Sequence, residues 1–162
     1  MTPLSPIIRK AKPTEFDSIY LMGIDVWSEG SSETEYLEGC RASVKYRKGT
    51  WYVLEDESRL LSSLIVYRFE PGVVGMGSIA TPVVERCRGH ATRLISEVLK
   101  MLEAETEEVQ IFLYSDIRPE FYEKFGFSRL PEAAQRYQTT VCMIKSHGRS
   151  VFLAASQTPE YF

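Results

Sequence analysis

Histidine and cysteine are scarce in this chain. His90 and His147 are the only histidines, and Cys40, Cys87 and Cys142 the only cysteines. No group of them has metal-ligand spacing, so no metal site is expected. Three cysteines form an odd, motif-free set, and the start Met1-Thr2-Pro3-Leu4-Ser5-Pro6 lacks a charged-then-apolar export pattern. Reduced thiols in a cytoplasm are the simplest reading. No apolar run approaches the roughly 20 residues that span a bilayer, so no membrane partner is expected. Positive charge is also in short supply. Lys and Arg total 19 against 22 Asp and Glu, a net charge of -3, which argues against a nucleic-acid partner. Neither G-x-G-x-x-G nor G-x-x-x-x-G-K-[ST] occurs, which removes support for a dinucleotide fold and for a P-loop. Internal repeats and low-complexity segments are absent too.

What remains is an ordinary globular balance. With 162 residues, 44% hydrophobic and 25% charged, residues 1–162 read as one domain able to bury a core. A short strand is predicted over Ile7–Ala11. Phe16, Ile19, Tyr20, Gly23 and Trp27 sit at helical spacing behind Thr14, read as the N-cap. Ser32 with Glu35 forms a capping-box pattern that opens a second helix. Basic residues Lys45, Arg47 and Lys48 close that helix, and Gly49 reads as its C′ residue. Thr50–Glu55, Leu60–Phe69 and Val73–Val84 read as three strands joined by short turns, an antiparallel meander. Gly75 and Gly77 interrupt the third, marking a bulge or a close backbone approach.

The most informative stretch follows. An apolar strand runs into Arg86-Cys87-Arg88-Gly89, and a helix begins directly after. First-turn N–H groups point out unpaired, and the dipole adds about half a positive charge there. Gly89 lets the backbone approach a ligand, and Arg86 and Arg88 suit phosphate oxygens. The loop reads as a pyrophosphate cradle or, taken alone, as a solvated turn. Ala91, Leu94, Ile95, Val98, Leu99 and Leu102 then form one helical stripe. Val109–Tyr114 reads as a strand buried on both faces, so strand, helix and strand imply a right-handed parallel crossover. Pro119 opens a short helix carrying Phe121, Tyr122 and Phe125, which Gly126 closes. Phe127 begins a return strand, and Tyr137–Ile144 reads as the last.

This order of elements, with Arg86-Cys87-Arg88-Gly89-His90-Ala91 and Phe121-Tyr122-Glu123-Lys124-Phe125-Gly126-Phe127, resembles the GNAT superfamily of acyl-CoA N-acyltransferases over residues 7–145. The first run matches the family pattern [QR]-x-x-G-x-[GA]. The resemblance implies an α/β (α+β) fold: a GNAT-like central mixed sheet, an N-terminal antiparallel meander, a parallel β-α-β crossover and helices on both faces. It implies acetyl-CoA as co-substrate and a small-molecule or peptide amine as acceptor. Carried over, the main-chain groups of Ile79 and Thr81 would pair with the pantetheine arm like an added strand. Backbone N–H groups of Cys87, Arg88, Gly89, His90, Ala91 and Thr92, with the Thr92 hydroxyl, would hold the pyrophosphate. Ser115 stands where many members have an Asn that contacts pantetheine. Tyr122 aligns with the usual general acid.

Acid chemistry suits a tyrosine. The leaving thiol has a pKa of ~8.5 and a phenol ~10, so a Tyr hydroxyl stays neutral and can hydrogen-bond or protonate the thiolate. Core packing beside Phe121 and Phe125 is the competing reading for Tyr122. A free alkylamine has a pKa of ~10.4, so about one molecule in 2,500 is neutral at pH 7 and some group must accept its proton. Some members carry a Glu near the position of Gly75, which is absent here. Glu70, Asp25, Glu29 and Glu85 are the alternatives, and none is singled out. His90 reads as a first-turn residue near phosphate, and Cys87 as a backbone contributor without a base partner. Trp27, Trp51, Tyr52, Tyr67 and Phe69 read as core, or as lining of an acceptor cleft. The expected activity is N-acetyl transfer by direct attack in a ternary complex, with an inactive acyl-CoA sensor of the same fold as the alternative. The tail Val151–Phe162 reads as packing on its own domain, pairing with a second subunit in a homodimer or covering the acceptor cleft, with packing on the sheet or a dimer contact preferred.

Overall fold

A computed structural model describes residues 6–148 and 158–162. Strand β1 is Ile7–Lys10. The expected helix over Phe16–Trp27 is broken into pieces: a 3-10 turn at Pro13–Glu15, α1 at Phe16–Leu21 and α2 at Ile24–Trp27. Thr14 lies inside the turn, and Lys12 takes the cap position, where its N–H donates to the Glu15 carboxylate at 2.7 Å. Gly23 separates α1 from α2 and lies under the Trp27 ring; a Cβ there would fall 2.1 Å from Cε3.

Ser32 does cap the next helix, α3 (Glu33–Ala42), accepting from the Glu35 N–H at 3.2 Å. That helix stops sooner than its periodicity predicts. Ser43 turns extended and caps a separate α4 (Val44–Lys48), accepting from the Tyr46 N–H at 3.2 Å. Serine at this point competes with the helix by offering its own acceptor. Gly49 ends α4 in extended backbone, φ -101°, and not in the left-handed cap expected of it.

Strands β2 (Thr50–Asp56), β3 (Arg59–Glu70) and β4 (Val73–Ala80) follow. The third strand is four residues shorter than expected. It stops before Pro82, which has no N–H to extend a ladder, and Val83–Glu85 form a 3-10 turn. Val83 and Val84 are exposed, so their apolar character signals no strand here. Ser78, and not either glycine, carries the positive φ in β4, at 45°.

Helix α5 (His90–Glu105) buries the predicted stripe, with Leu94, Ile95, Val98, Leu99 and Leu102 all under 5% exposed. Strand β5 is Val109–Ser115, α6 is Glu120–Glu123, β6 is the two-residue Ser128–Arg129, and β7 is Val141–His147. The last strand therefore starts four residues later than its expected Tyr137.

Among the described residues, seven strands form one mixed sheet in the order β1-β2-β3-β4-β5-β7-β6. β4 and β5 are parallel, as the crossover reading predicts, pairing Val73 with Gln110, Val74 with Ile111 and Gly75 with Phe112. β1–β2, β2–β3, β5–β7 and β6–β7 are antiparallel. The chain groups into two compact units, Met1–Val66 with Ser78–Val98, and Tyr67–Gly77 with Leu99–Phe162. In the first, the sheet core is Trp51–Leu54 and Leu61–Val66. The Arg9 guanidinium ties the edge together, donating to both Glu15 carboxylate oxygens at 2.9 and 2.8 Å and to Glu55 at 2.5 Å. In the second, Phe112, Leu130, Ala134 and Cys142 form a core patch that Tyr114 and Phe162 partly cover.

Candidate active site

The loop belongs to the first unit. Cys87 and Gly89 both have positive φ, 64° and 79°, on either side of Arg88. Non-glycine residues adopt this conformation at a cost, so Cys87 marks a constrained turn. The Gly89 carbonyl accepts from the Arg93 N–H at 3.0 Å, which makes Gly89 the cap residue of α5. Having no side chain, Gly89 cannot satisfy the first-turn donors of His90, Ala91 and Thr92, as Ser or Asp would. A Cβ added at Gly89 would meet nothing within 4 Å, so the backbone there faces open space. This arrangement can accept an anion.

Charge holds the loop in place from below. Arg86 donates to both Asp25 oxygens at 2.7 and 2.8 Å, and also to the carbonyls of Thr81 (2.8 Å) and Met22 (3.2 Å). The guanidinium expected to face phosphate is therefore turned to α2, and it holds the Asp25 carboxyl below its usual range. Glu85 is buried under the same loop. It accepts from Arg59 at 2.9 Å and lies 3.5 Å from Arg88 and 3.3 Å from His90 Nε2. Arg88 remains mostly exposed and is the outward-facing cation of the pair. Cys87 is exposed. Before the loop, Ile79 is half-buried on β4. Thr81 is fixed by its hydroxyl contact with Ser62 Oγ at 3.0 Å, and its carbonyl is taken by Arg86.

Tyr122 and Ser115 belong to the second unit. Tyr122 sits on α6, which is set by Pro119 and ended by Gly126 at φ 99°. Its ring packs edge-on to Phe121 and Phe127. Among the described residues its hydroxyl has no hydrogen-bond partner. Burial, helped by the charge of Asp116, pushes its pKa up to about 12. The phenol therefore keeps its proton at neutral pH and is available as a hydrogen-bond donor. Ser115 is buried at the end of β5, and its hydroxyl donates to the Ile117 carbonyl at 2.7 Å. That bond shapes the loop into α6, so the hydroxyl is turned inward.

The four candidate bases divide clearly. Asp25 and Glu85 are held by arginines, and Glu29 and Glu70 are exposed. Of the aromatic group, Trp51, Tyr52 and Tyr67 are core residues, while Trp27 and Phe69 stay exposed. Sequence reasoning expected the tail that ends in Phe162 to pack on the sheet, but did not foresee which residues it meets. The Phe162 ring lies on Gly75, where an added Cβ would fall 2.6 Å from Cζ. The Gly-x-Gly spacing in a strand was the available signal.

The acetyltransferase (GNAT) domain family matches residues 7–130. With that match across most of its length, the chain belongs to the GNAT acetyltransferase family. No protein of curated function matches it. Solved structures share its fold at low identity. A GNAT family N-acetyltransferase from Escherichia coli in complex with CoA is 18% identical with a TM-score of 0.64, over 90% of this chain and 83% of that one. A GNAT family acetyltransferase from Brucella melitensis in complex with acetyl-CoA is 20% identical with a TM-score of 0.60, over 94% and 99%. The ribosomal-protein-S18-alanine N-acetyltransferase from Escherichia coli is 13% identical with a TM-score of 0.67, over 91% and 97%.

Among the described residues no helix is long and apolar enough to cross a membrane, and no cluster of His, Cys, Asp and Glu could hold a metal.

Proposed function

We propose that this protein transfers the acetyl group of acetyl-CoA to a primary amine by direct attack in a ternary complex. The observation that carries the reading is the opening of α5. A glycine cap faces open space beside left-handed Cys87, and the first-turn donors follow. In this reading the N–H groups from Cys87 through Thr92 hold the pyrophosphate, and Arg88 adds charge. Arg86 acts from beneath by fixing the loop to Asp25. Ile79 and Thr81 lie along the pantetheine arm. Ser115 shapes the turn that carries α6. The CoA complexes of two structural relatives support this assignment.

The chemistry then needs an acid and a path for the amine proton. The nitrogen lone pair attacks the thioester carbonyl carbon, and the tetrahedral intermediate collapses by breaking the C–S bond. Tyr122 hydrogen-bonds the departing sulfur and passes it a proton, which the amine proton replaces through water. A phenol with pKa about 12 is neutral across the working pH range, so it enters each turnover protonated. The amine proton leaves through water, because Asp25 and Glu85 are both engaged by arginines. The same absence of a poised carboxylate favours the one alternative, an acyl-CoA sensor that binds without turnover.

Incubation with acetyl-CoA and a panel of primary amines, following free thiol, separates the two. Turnover that Tyr122→Phe abolishes, with acetyl-CoA affinity retained, supports the enzyme. Acetyl-CoA binding with no thiol release from any amine supports the sensor. The reading places the protein in a cytoplasm, and its oligomeric state is tested by sedimentation.

A further inference from the structure

Two glycines at i and i+2 remove two side chains from one face of a strand. Gly75 and Gly77 do this on β4, and the Phe162 ring fills the trough they leave. An added Cβ would fall 2.6 Å from the ring at Gly75 and 3.7 Å from it at Gly77. The ring also packs against Tyr67, Phe69 and Tyr114, with centroids 5.5, 5.3 and 5.5 Å away. Its segment, Thr158–Phe162, is anchored. Thr158 donates to the Ala134 carbonyl at 2.7 Å and accepts from Arg136 at 2.6 Å. The Tyr161 N–H donates to the Tyr137 hydroxyl at 3.1 Å, and Tyr114 donates to the Pro159 carbonyl.

The location gives the ring a consequence for substrates. The pairing of β4 with β5 ends at Gly75 and Phe112, although both strands run on. In open α/β sheets ligands enter beyond the carboxyl ends of parallel strands, where neighbours part. Phe162 lies on the β4 side of that point. The Tyr161 hydroxyl beside it donates to Asp116 at 2.6 Å, the carboxyl whose charge bears on Tyr122.

We propose that Phe162 determines acceptor specificity: its ring, seated over Gly75 and Gly77, restricts the acceptor to slender primary amines unbranched next to nitrogen. This rests on the N-acetyltransferase reading above and narrows it to a substrate class. A ring or branch beside the amine would compete for the volume that the Phe162 ring fills. Steric selection of this kind discriminates by roughly 10- to 200-fold for a small group.

The test compares n-butylamine with cyclohexylamine as acceptors for acetyl-CoA, in wild type, Phe162→Ala and Phe162→Leu. Thiol release gives kcat/KM, and melting with acetyl-CoA is recorded for each protein. Phe162→Leu keeps an apolar cover and guards against loss of fold. The expected result is a cyclohexylamine-to-butylamine ratio that rises about tenfold or more in Phe162→Ala and by less in Phe162→Leu. A ratio that stays flat overturns the proposal, as does an equal rise for both amines, which would make the ring a simple lid. Transfer to neither amine by any of the three proteins also overturns it. Failure of the underlying reading shows separately, as wild type that acetyl-CoA does not stabilise.

Discussion

The loop before α5 and the trough on β4 are built by opposite means. Ion pairs hold the loop, Arg86 on Asp25 and Arg59 and Arg88 on Glu85, with His90 Nε2 3.3 Å from Glu85 and a glycine left open at the tip. The trough has glycines that are covered, by a ring held among other rings. The same residue type thus serves two ends. At Gly89 its value is a left-handed φ and an exposed backbone, whereas at Gly75 it is the absence of a side chain under Phe162. An open, cationic loop suits an anion, and an apolar wall suits discrimination by shape.

Substitutions should separate the two regions. The largest effect is expected from Tyr122→Phe, which removes the proton donor and leaves the loop intact. Turnover should fall about 100-fold or more, with the acetyl-CoA Kd from calorimetry unchanged. The wild-type kcat should show no decline near pH 10, where an ordinary tyrosine ionises, because Tyr122 holds its proton to about 12. Gly89→Val should act on the other side. It forces a β-branched residue to φ 79° and screens the exposed backbone. Urea unfolding should show a loss of about 1–2 kcal/mol, and the acetyl-CoA Kd should rise far more than kcat at saturation falls.

Salt offers a milder discrimination. Raising ionic strength to 1 M shortens the screening length to about 3 Å. Acetyl-CoA affinity should weaken several-fold, while the selectivity between slender and branched amines stays constant. The smallest effect concerns the edge of the sheet. The Arg9 guanidinium holds the Glu15 carboxyl down to about 2, from 4.5. A depressed carboxyl stabilises the fold above its unfolded pKa, and that stabilisation is lost as pH falls toward the folded value. Melting should therefore decline between about pH 4.5 and pH 2, and Glu15→Gln should flatten part of that decline.

The legible parts of this molecule were the local ones. The stripe from Ala91 to Leu102 announced α5, and the Ser32 cap announced α3, because both signals lie within a few residues of the structure they direct. Local signals also misled where they were ambiguous. Val83 and Val84 read as strand but follow the end of β4 at Ala80, and Ser43 split a helix that periodicity ran together. The family resemblance picked out the loop and Tyr122 as candidates. It did not foresee their supports. Arg86 meets Asp25 across 61 positions, and Phe162 reaches Gly75 from the far end of the chain. Gly-x-Gly announced that something approaches the strand, but only the folded chain shows which residue does. Residues 149–157 of the apolar tail lie outside the described residues, while Phe162 packs on the β4 glycines of its own unit.

The central claim is that the opening of α5 holds the pyrophosphate of acetyl-CoA. The most direct measurement is thermal unfolding with acetyl-CoA and, in parallel, with acetyl-pantetheine, which lacks the pyrophosphate. Ligand at about 100 times its Kd adds roughly 2.7 kcal/mol, a shift of several degrees at this size. The account predicts that shift for acetyl-CoA, little for acetyl-pantetheine, and a marked reduction in Gly89→Val. No shift at millimolar acetyl-CoA, or an equal shift with acetyl-pantetheine, would contradict it.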